Sequence, residues 1–237
     1  ALAWGAAAQG ELGILPFDEG VKFCCMPTMC RITNVENVAV GNNHTLFLTS
    51  NGLVHSCGSN KYGQLGQPDV SWEGTAVPGP VAGLPPPALC SGGVRGVAAG
   101  PLCSVALTRS GDVYFWGRSA ALHNSRQQGG LKKDHDGDDS ISQNHHDDSD
   151  NDDDYLSYFL EEADEEGEDI QAESDPILLT EEVCGVPESA LGEVVGVRCD
   201  SRSIALETRG RRVYVLGRED GDLARLINCS TEDAKDI

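Results

Sequence analysis

The sequence predicts an all-β fold built of propeller blades, each a four-stranded antiparallel sheet, and three observations lead there. A pattern at residues 38–66 returns at 97–117 at a constant offset of 59, with no gap. Each copy holds two short apolar runs separated by a turn, the signature of a β-hairpin. The 28 glycines fall at turn spacing through the chain, and no window outside the acidic segment carries a sustained helical stripe. A period of roughly 50 to 60 residues with such short strands fits one blade per repeat and disfavours a helical solenoid.

The repeat pairs Val38 with Val97, Gly41 with Gly100, Leu48 with Leu107, Thr49 with Thr108, Gly52 with Gly111, Val54 with Val113 and Gly58 with Gly117. Thr45 to Thr49 and Leu53 to Cys57 read as the two strands of a hairpin. Asn51-Gly52 is expected to supply positive φ at both central turn positions. In the second copy Ser110-Gly111 takes that place, followed by Val113, Tyr114, Phe115 and Trp116, all strand formers. Gly58 and Gly117 mark a tight bend or a close backbone approach.

A third copy at 195–217 keeps Val197, Ile204, Leu206, Val213, Val215 and Gly217 in register if one residue is inserted near Arg211. The chain opens on the tail of another copy, since Trp4, Gly5, Gly10, Leu12 and Gly13 overlay Cys57, Gly58, Gly63, Leu65 and Gly66. The expected architecture is therefore an incomplete ring of about three to four blades.

Residues 134–175 break the period. They hold 19 of the 38 acidic residues and none of the 17 Lys and Arg, so the rest of the chain is nearly neutral although the net charge is −21. Such a segment buries too little apolar surface to offset chain ordering and is expected to be a disordered loop insertion. The expected organisation is blades over 1–133, the acidic insertion over 134–175, and a blade with a C-terminal tail over 176–237. One island within the insertion, Tyr155 to Leu160, sets Tyr155, Tyr158 and Phe159 among acids, as a short motif docking on a basic, apolar-grooved partner would; a merely solvated loop is the alternative reading.

The run GNNHTLFLTSNGLVHSCGSNKYGQLG, residues 41–66, resembles the repeat of the regulator of chromosome condensation family. That repeat reads Gly-x-x-His-x-x-x-Leu-x-x-x-Gly, then Trp-Gly, then Gly-Gln-Leu-Gly. Gly41, His44, Leu48, Gly52, Gly58, Gly63, Leu65 and Gly66 match it, as do Gly100, Gly111, Trp116 and Gly117. The sequence departs from it where Cys57 replaces Trp, where Cys103 and Arg202 stand in for His44, and where Cys199 replaces the leading Gly. The resemblance implies a seven-bladed propeller in a complete member. A chain with about three and a half blades is then either a piece of a longer protein or an atypical ring whose open edges need cover. It also implies guanine-nucleotide exchange on a Ran-like small GTPase as the leading specific activity.

Chemistry is sparse. His44 is expected to tie neighbouring strands together rather than to catalyse. His55 and His123 have no nucleophile motif beside them, and His135, His145 and His146 lie in the acidic segment. No phosphate-binding Gly-x-x-x-x-Gly-Lys loop occurs. Nine cysteines, an odd number, are scattered singly apart from Cys24, Cys25 and Cys30, a spacing poor for zinc. The reading is a protein-interaction module, not an enzyme, with no cofactor or metal. Expected partners are proteins, a small GTPase or a basic protein. Direct nucleic-acid binding is disfavoured because basic residues do not cluster, and no apolar run reaches the length of a membrane span. Unpaired thiols and the lack of a secretory-leader pattern lead to the expectation of an intracellular protein, cytoplasmic or nuclear.

Overall fold

The computed structural model describes residues 1–14, 22–87, 93–119, 122, 173–200, 203–219 and 222–227. Three four-stranded antiparallel sheets and one two-stranded sheet follow one another along the chain, so the fold is three and a half propeller blades. The half-blade is β1 (Leu2–Ala6) with β2 (Phe23–Met29). The first full blade is β3 (Val35–Val40), β4 (His44–Thr49), β5 (Val54–Gly58) and β6 (Thr75–Pro80). The second is β7 (Val94–Ala99), β8 (Cys103–Thr108), β9 (Val113–Gly117) and β10 (Glu173–Leu178). The third is β11 (Val194–Cys199), β12 (Ser203–Thr208), β13 (Val213–Glu219) and β14 (Asp222–Ile227). Each full blade is an up-and-down meander, its strands hydrogen-bonded in chain order.

The second strand of the first two blades is buried at every position, from His44 to Thr49 and from Cys103 to Thr108. A strand with both faces covered by neighbouring sheets can use apolar residues continuously, which is why Leu46, Phe47 and Leu48 occur in a row. The core is accordingly divided between the seams. Phe47, Cys30 and Cys57 pack beside the half-blade. Trp116, Leu46, Leu48, Val54, Val94 and Ala106 form the cluster joining the first and second blades. The largest cluster, including Val105, Leu107, Phe115, Ile204, Leu206 and Leu216, joins the second and third.

The hairpin turn differs from the sequence expectation. Only Gly52 has positive φ (79°), and Asn51 does not. Gly52 N donates to Thr49 O, Thr49 N donates to Leu53 O, and the Thr49 hydroxyl also reaches Leu53 O. A turn closed from residue 49 to 52 and followed by one left-handed residue twists with the strands without needing two positive-φ positions. Thr108 and Thr208 repeat the arrangement with Gly111 and Arg211.

The third copy needs no inserted residue. Val35 pairs with Thr49, Val94 with Thr108 and Val194 with Thr208, and likewise His44 faces Gly58, Cys103 faces Gly117 and Ser203 faces Gly217. Ser203, not Arg202, therefore occupies the His44 position, and Asp200, not Cys199, occupies the leading-glycine position. The difference has a physical cause: the glycine of this turn, Gly210, lies one residue before the left-handed position, which Arg211 fills at φ 58°.

The long interruption falls between the third and fourth strands of the second blade, from Arg118 to Ala172, where the first blade has the Ser59–Gly74 loop. β10 begins at Glu173 and pairs with β9, so this strand straddles the 175/176 boundary. The motif residues Tyr155, Tyr158 and Phe159 lie outside the described residues, as does Arg202. Two one-turn helices, α1 (Glu181–Cys184) and α2 (Glu188–Leu191), lead into β11, and Gly185 closes α1 in the left-handed conformation. Four residues are too few to leave a helical period in a sequence.

Candidate functional site

Two of the signature side chains, His44 and Trp116, meet at the seam between the first and second blades. His44, fully buried at the start of β4, places Nε2 2.9 Å from Ser104 Oγ on β8. Ser104 Oγ donates to the backbone carbonyl of Gln64 at 2.8 Å, and Trp116 Nε1 donates to the same carbonyl at 2.9 Å. Because the single hydroxyl proton of Ser104 is committed to Gln64, His44 must donate from Nε2, and its Nδ1 is left without a partner. Burial pushes the His44 pKa down to about 4, so the imidazole is neutral at pH 7. A neutral donor held in a closed seam, far from solvent, serves architecture and not proton transfer.

The loop that presents Gln64 is fastened by its own side chains. Asn60 Oδ1 accepts from Leu65 N, Gln64 Oε1 accepts from Tyr62 N, and Ser56 Oγ donates to Leu65 O. Gly63, Gly66 and Gly58 all have positive φ, as do Gly111 and Gly117. At Gly58 a Cβ would also overlap Asn43 O and His44 Cα, so the strand can pass its neighbour only as glycine. Gly41 is needed for a different reason: the space its Cβ would fill holds the His44 ring. Leu65 is fully buried.

The same device recurs one seam earlier. Thr45 Oγ1 donates to Glu11 O at 2.6 Å and Cys57 Sγ approaches it at 3.6 Å, so Glu11, Thr45 and Cys57 play the parts of Gln64, Ser104 and Trp116. Cys57 thus fills the Trp position with a thiol, and burial pushes that thiol up to about 12. In the third blade the equivalent positions are Ile204 and Leu216, fully buried and purely apolar. Gly217 is not left-handed either.

Beyond the seam, the ends of β5 and β9 carry a half-buried feature the sequence did not announce. The Tyr62 ring has Lys61 Nζ 5.3 Å and Arg118 Cζ 5.2 Å from its centroid. Trp72, in the same loop as Lys61 and Tyr62, is 69% exposed. A separate groove of about 350 Å³ beside β1 is lined by Leu2, Trp4, Leu12, Val38, Val40 and Phe47. Among the described residues no group of three or more His, Cys, Asp and Glu is placed to hold a metal ion, and no helix is long and apolar enough to cross a membrane.

Comparison with known proteins agrees with this geometry. Residues 35–64 and 51–107 match the regulator of chromosome condensation (RCC1) repeat. The secretion-regulating guanine nucleotide exchange factor of Mus musculus is 35% identical over 123 residues, which is 52% of this chain and 25% of that protein. The guanine nucleotide exchange factor SRM1 of Saccharomyces cerevisiae is 30% identical over 116 residues, 49% of this chain and 23% of that protein. Among solved structures, Prp20p of Saccharomyces cerevisiae, studied with its binding to Gsp1p and histones, covers 97% of this chain at a TM-score of 0.56 and 20% identity. Human WBSCR16 covers 96% at 0.60 and 18% identity. The chain spans 46% and 47% of those two structures and about a quarter of the two exchange factors.

Proposed function

We propose, starting from a chain that is a partial, divergent member of the regulator of chromosome condensation repeat family, that it serves as a protein-interaction module within a larger scaffold or regulatory protein. The observation that carries this reading is the division of labour between seam and surface. The signature side chains are occupied in holding blades together, while Tyr62 between two cations and the exposed Trp72 sit on a loop at the strand ends. Aromatic and Arg side chains are the residues that dominate protein interfaces. The acidic residues 134–175, taken as an insertion between the propeller parts 1–133 and 176–237, add a second contact suited to a basic protein.

The test is binding of purified core histones and of a Ran-type small GTPase to the whole chain, with Tyr62→Ala and Trp72→Ala as loop variants and a chain lacking residues 134–172, a deletion that spares β10. Loss of one partner with the loop variants, or of the histones with the deletion, supports the module. Equal binding by all of them rejects it.

A second reading, guanine-nucleotide exchange on a Ran-like GTPase, is favoured by the names of the relatives. If a labelled guanine nucleotide leaves the GTPase no faster with this protein present, that reading is sunk.

A further inference from the structure

The seam between the second and third blades brings two thiols together. Cys103 Sγ, at the start of β8, lies 3.3 Å from Cys199 Sγ, at the end of β11. Cys103 is buried and Cys199 half-buried. Both occupy the space beside Gly100, where a Cβ would meet both sulfurs and Asp200 O. In the seam before it, the equivalent space beside Gly41 is filled by the His44 ring, which reaches across to Ser104. One imidazole bridging two blades has been replaced by two thiols, one from each blade.

We propose that Cys103 and Cys199 form a disulfide on oxidation by a peroxide, and that this site covalently ties the second blade to the third. The sulfurs need to close by about 1.3 Å to reach bonding distance. Both are held at the ends of paired strands, and the glycine between them leaves room for that movement.

The chemistry favours this pair over the buried thiols Cys30, Cys57 and Cys184. The Cys199 thiol, then the Ser119 hydroxyl and the Gly100 backbone, hold the Cys103 thiol below its ordinary value against burial and the nearby Asp200. Its hydrogen bond to Cys103, burial, and the charges of Cys103 and Asp200 push Cys199 up, and whichever sulfur is oxidised first has the other 3.3 Å away to resolve it. Cys30, Cys57 and Cys184 are all pushed up, chiefly by burial. One sulfur of the pair attacks hydrogen peroxide, the O–O bond breaks, one water leaves with the thiol proton, and a sulfenic acid remains. The other sulfur then displaces the sulfenic hydroxyl, which leaves as a second water with the proton of that second thiol. Two thiols are oxidised by two electrons, the peroxide is reduced, and one S–S bond forms. The bond would close a loop that contains the whole connection from Arg118 to Ala172.

The experiment treats the folded whole chain with one equivalent of hydrogen peroxide, blocks remaining thiols with N-ethylmaleimide, and maps peptides by mass spectrometry without reduction. The expected result is a Cys103–Cys199 linked peptide as the dominant crosslink, released by dithiothreitol, absent from Cys199→Ser, and at least tenfold weaker when the chain is first unfolded in urea. The urea arm needs no variant and so does not depend on the substituted chain folding. Full maleimide labelling of both cysteines in the folded chain, their separate over-oxidation, or a crosslink equally abundant in urea would each overturn the proposal.

Discussion

Two seams of the same propeller are held by different chemistry. Between the first and second blades, His44 donates to Ser104, while Ser104 and Trp116 both donate to the carbonyl of Gln64, every group buried. Between the second and third, Ile204, Leu206 and Leu216 pack against Val105, Leu107 and Phe115, and the polar contacts include a thiol pair and Arg95 Nη2 donating to Val194 O at 2.7 Å. Apolar packing is non-directional and tolerates exchange among residues of similar volume. A buried hydrogen-bond chain tolerates nothing that leaves a member unpaired. The polar seam therefore keeps a readable signature, and the apolar one drifts.

The largest expected effect separates packing from hydrogen bonding in the polar seam. Trp116→Ala should lower stability by about 4 kcal/mol, since it empties the largest fully buried site among the described residues. Trp116→Phe keeps most of the volume and removes only the N–H, so its cost should be about 1 kcal/mol beyond repacking. Leu216→Ala, at the equivalent place in the apolar seam, should cost about 3 kcal/mol, with no hydrogen-bond component to recover. Urea unfolding followed by tryptophan fluorescence and circular dichroism measures all three. If Trp116→Phe proves as damaging as Trp116→Ala, indole donation to Gln64 dominates that seam.

The polar seam should also be the acid-sensitive one. His44 titrates near 4 in the folded chain and near 6.5 when unfolded. Between those values the unfolded chain binds the extra proton, so the contribution is intact above pH 6.5 and is lost as pH falls through 4. The loss at its full extent is about 3 kcal/mol. His44→Gln retains a donor for Ser104 but does not titrate. The stability gap between pH 7 and pH 4.5 should be smaller in His44→Gln than in the natural chain, and identical gaps would mean that the ring finds a way to protonate in place.

How far the fold was legible follows from the same contrast. The first two blades could be read because turns and close approaches make demands on single residues: Gly58 beneath Asn43, Gly41 beside the His44 ring, Thr49 closing its turn. β6, with Pro78, Gly79 and Pro80, carries few strand formers and takes its place only because β5 offers an edge to pair with. The site was legible in part. His44 and Trp116 announced themselves, but their common target is a backbone carbonyl, which no side-chain pattern records. The Tyr62 stack joins residues 61 and 62 to 118, and Cys103 meets Cys199 across two blades. Such pairings arise from tertiary packing and leave no local period.

The smallest effect bears on the turn of the third blade, where the repeat loses its spelling. Its turn places Arg211 at φ 58°, where the other two blades have Gly52 at 79° and Gly111 at 100°. A side chain in this region crowds the backbone by about 1 kcal/mol or more, whereas glycine enters freely at some entropic cost in the unfolded chain. Arg211→Gly should therefore stabilise the chain by about 0.5 to 1 kcal/mol, and Arg211→Asn by less, since Asn tolerates the left-handed region. Arg211→Ala removes the same charge but keeps the Cβ, and should give no gain. A gain from Ala as large as that from Gly would assign the effect to the arginine charge, beside Arg209 and Arg212, instead of to the turn. The same substitution would move the glycine to the position where the first two repeats carry it, so one backbone angle accounts both for a small instability and for the loss of the repeat's spelling.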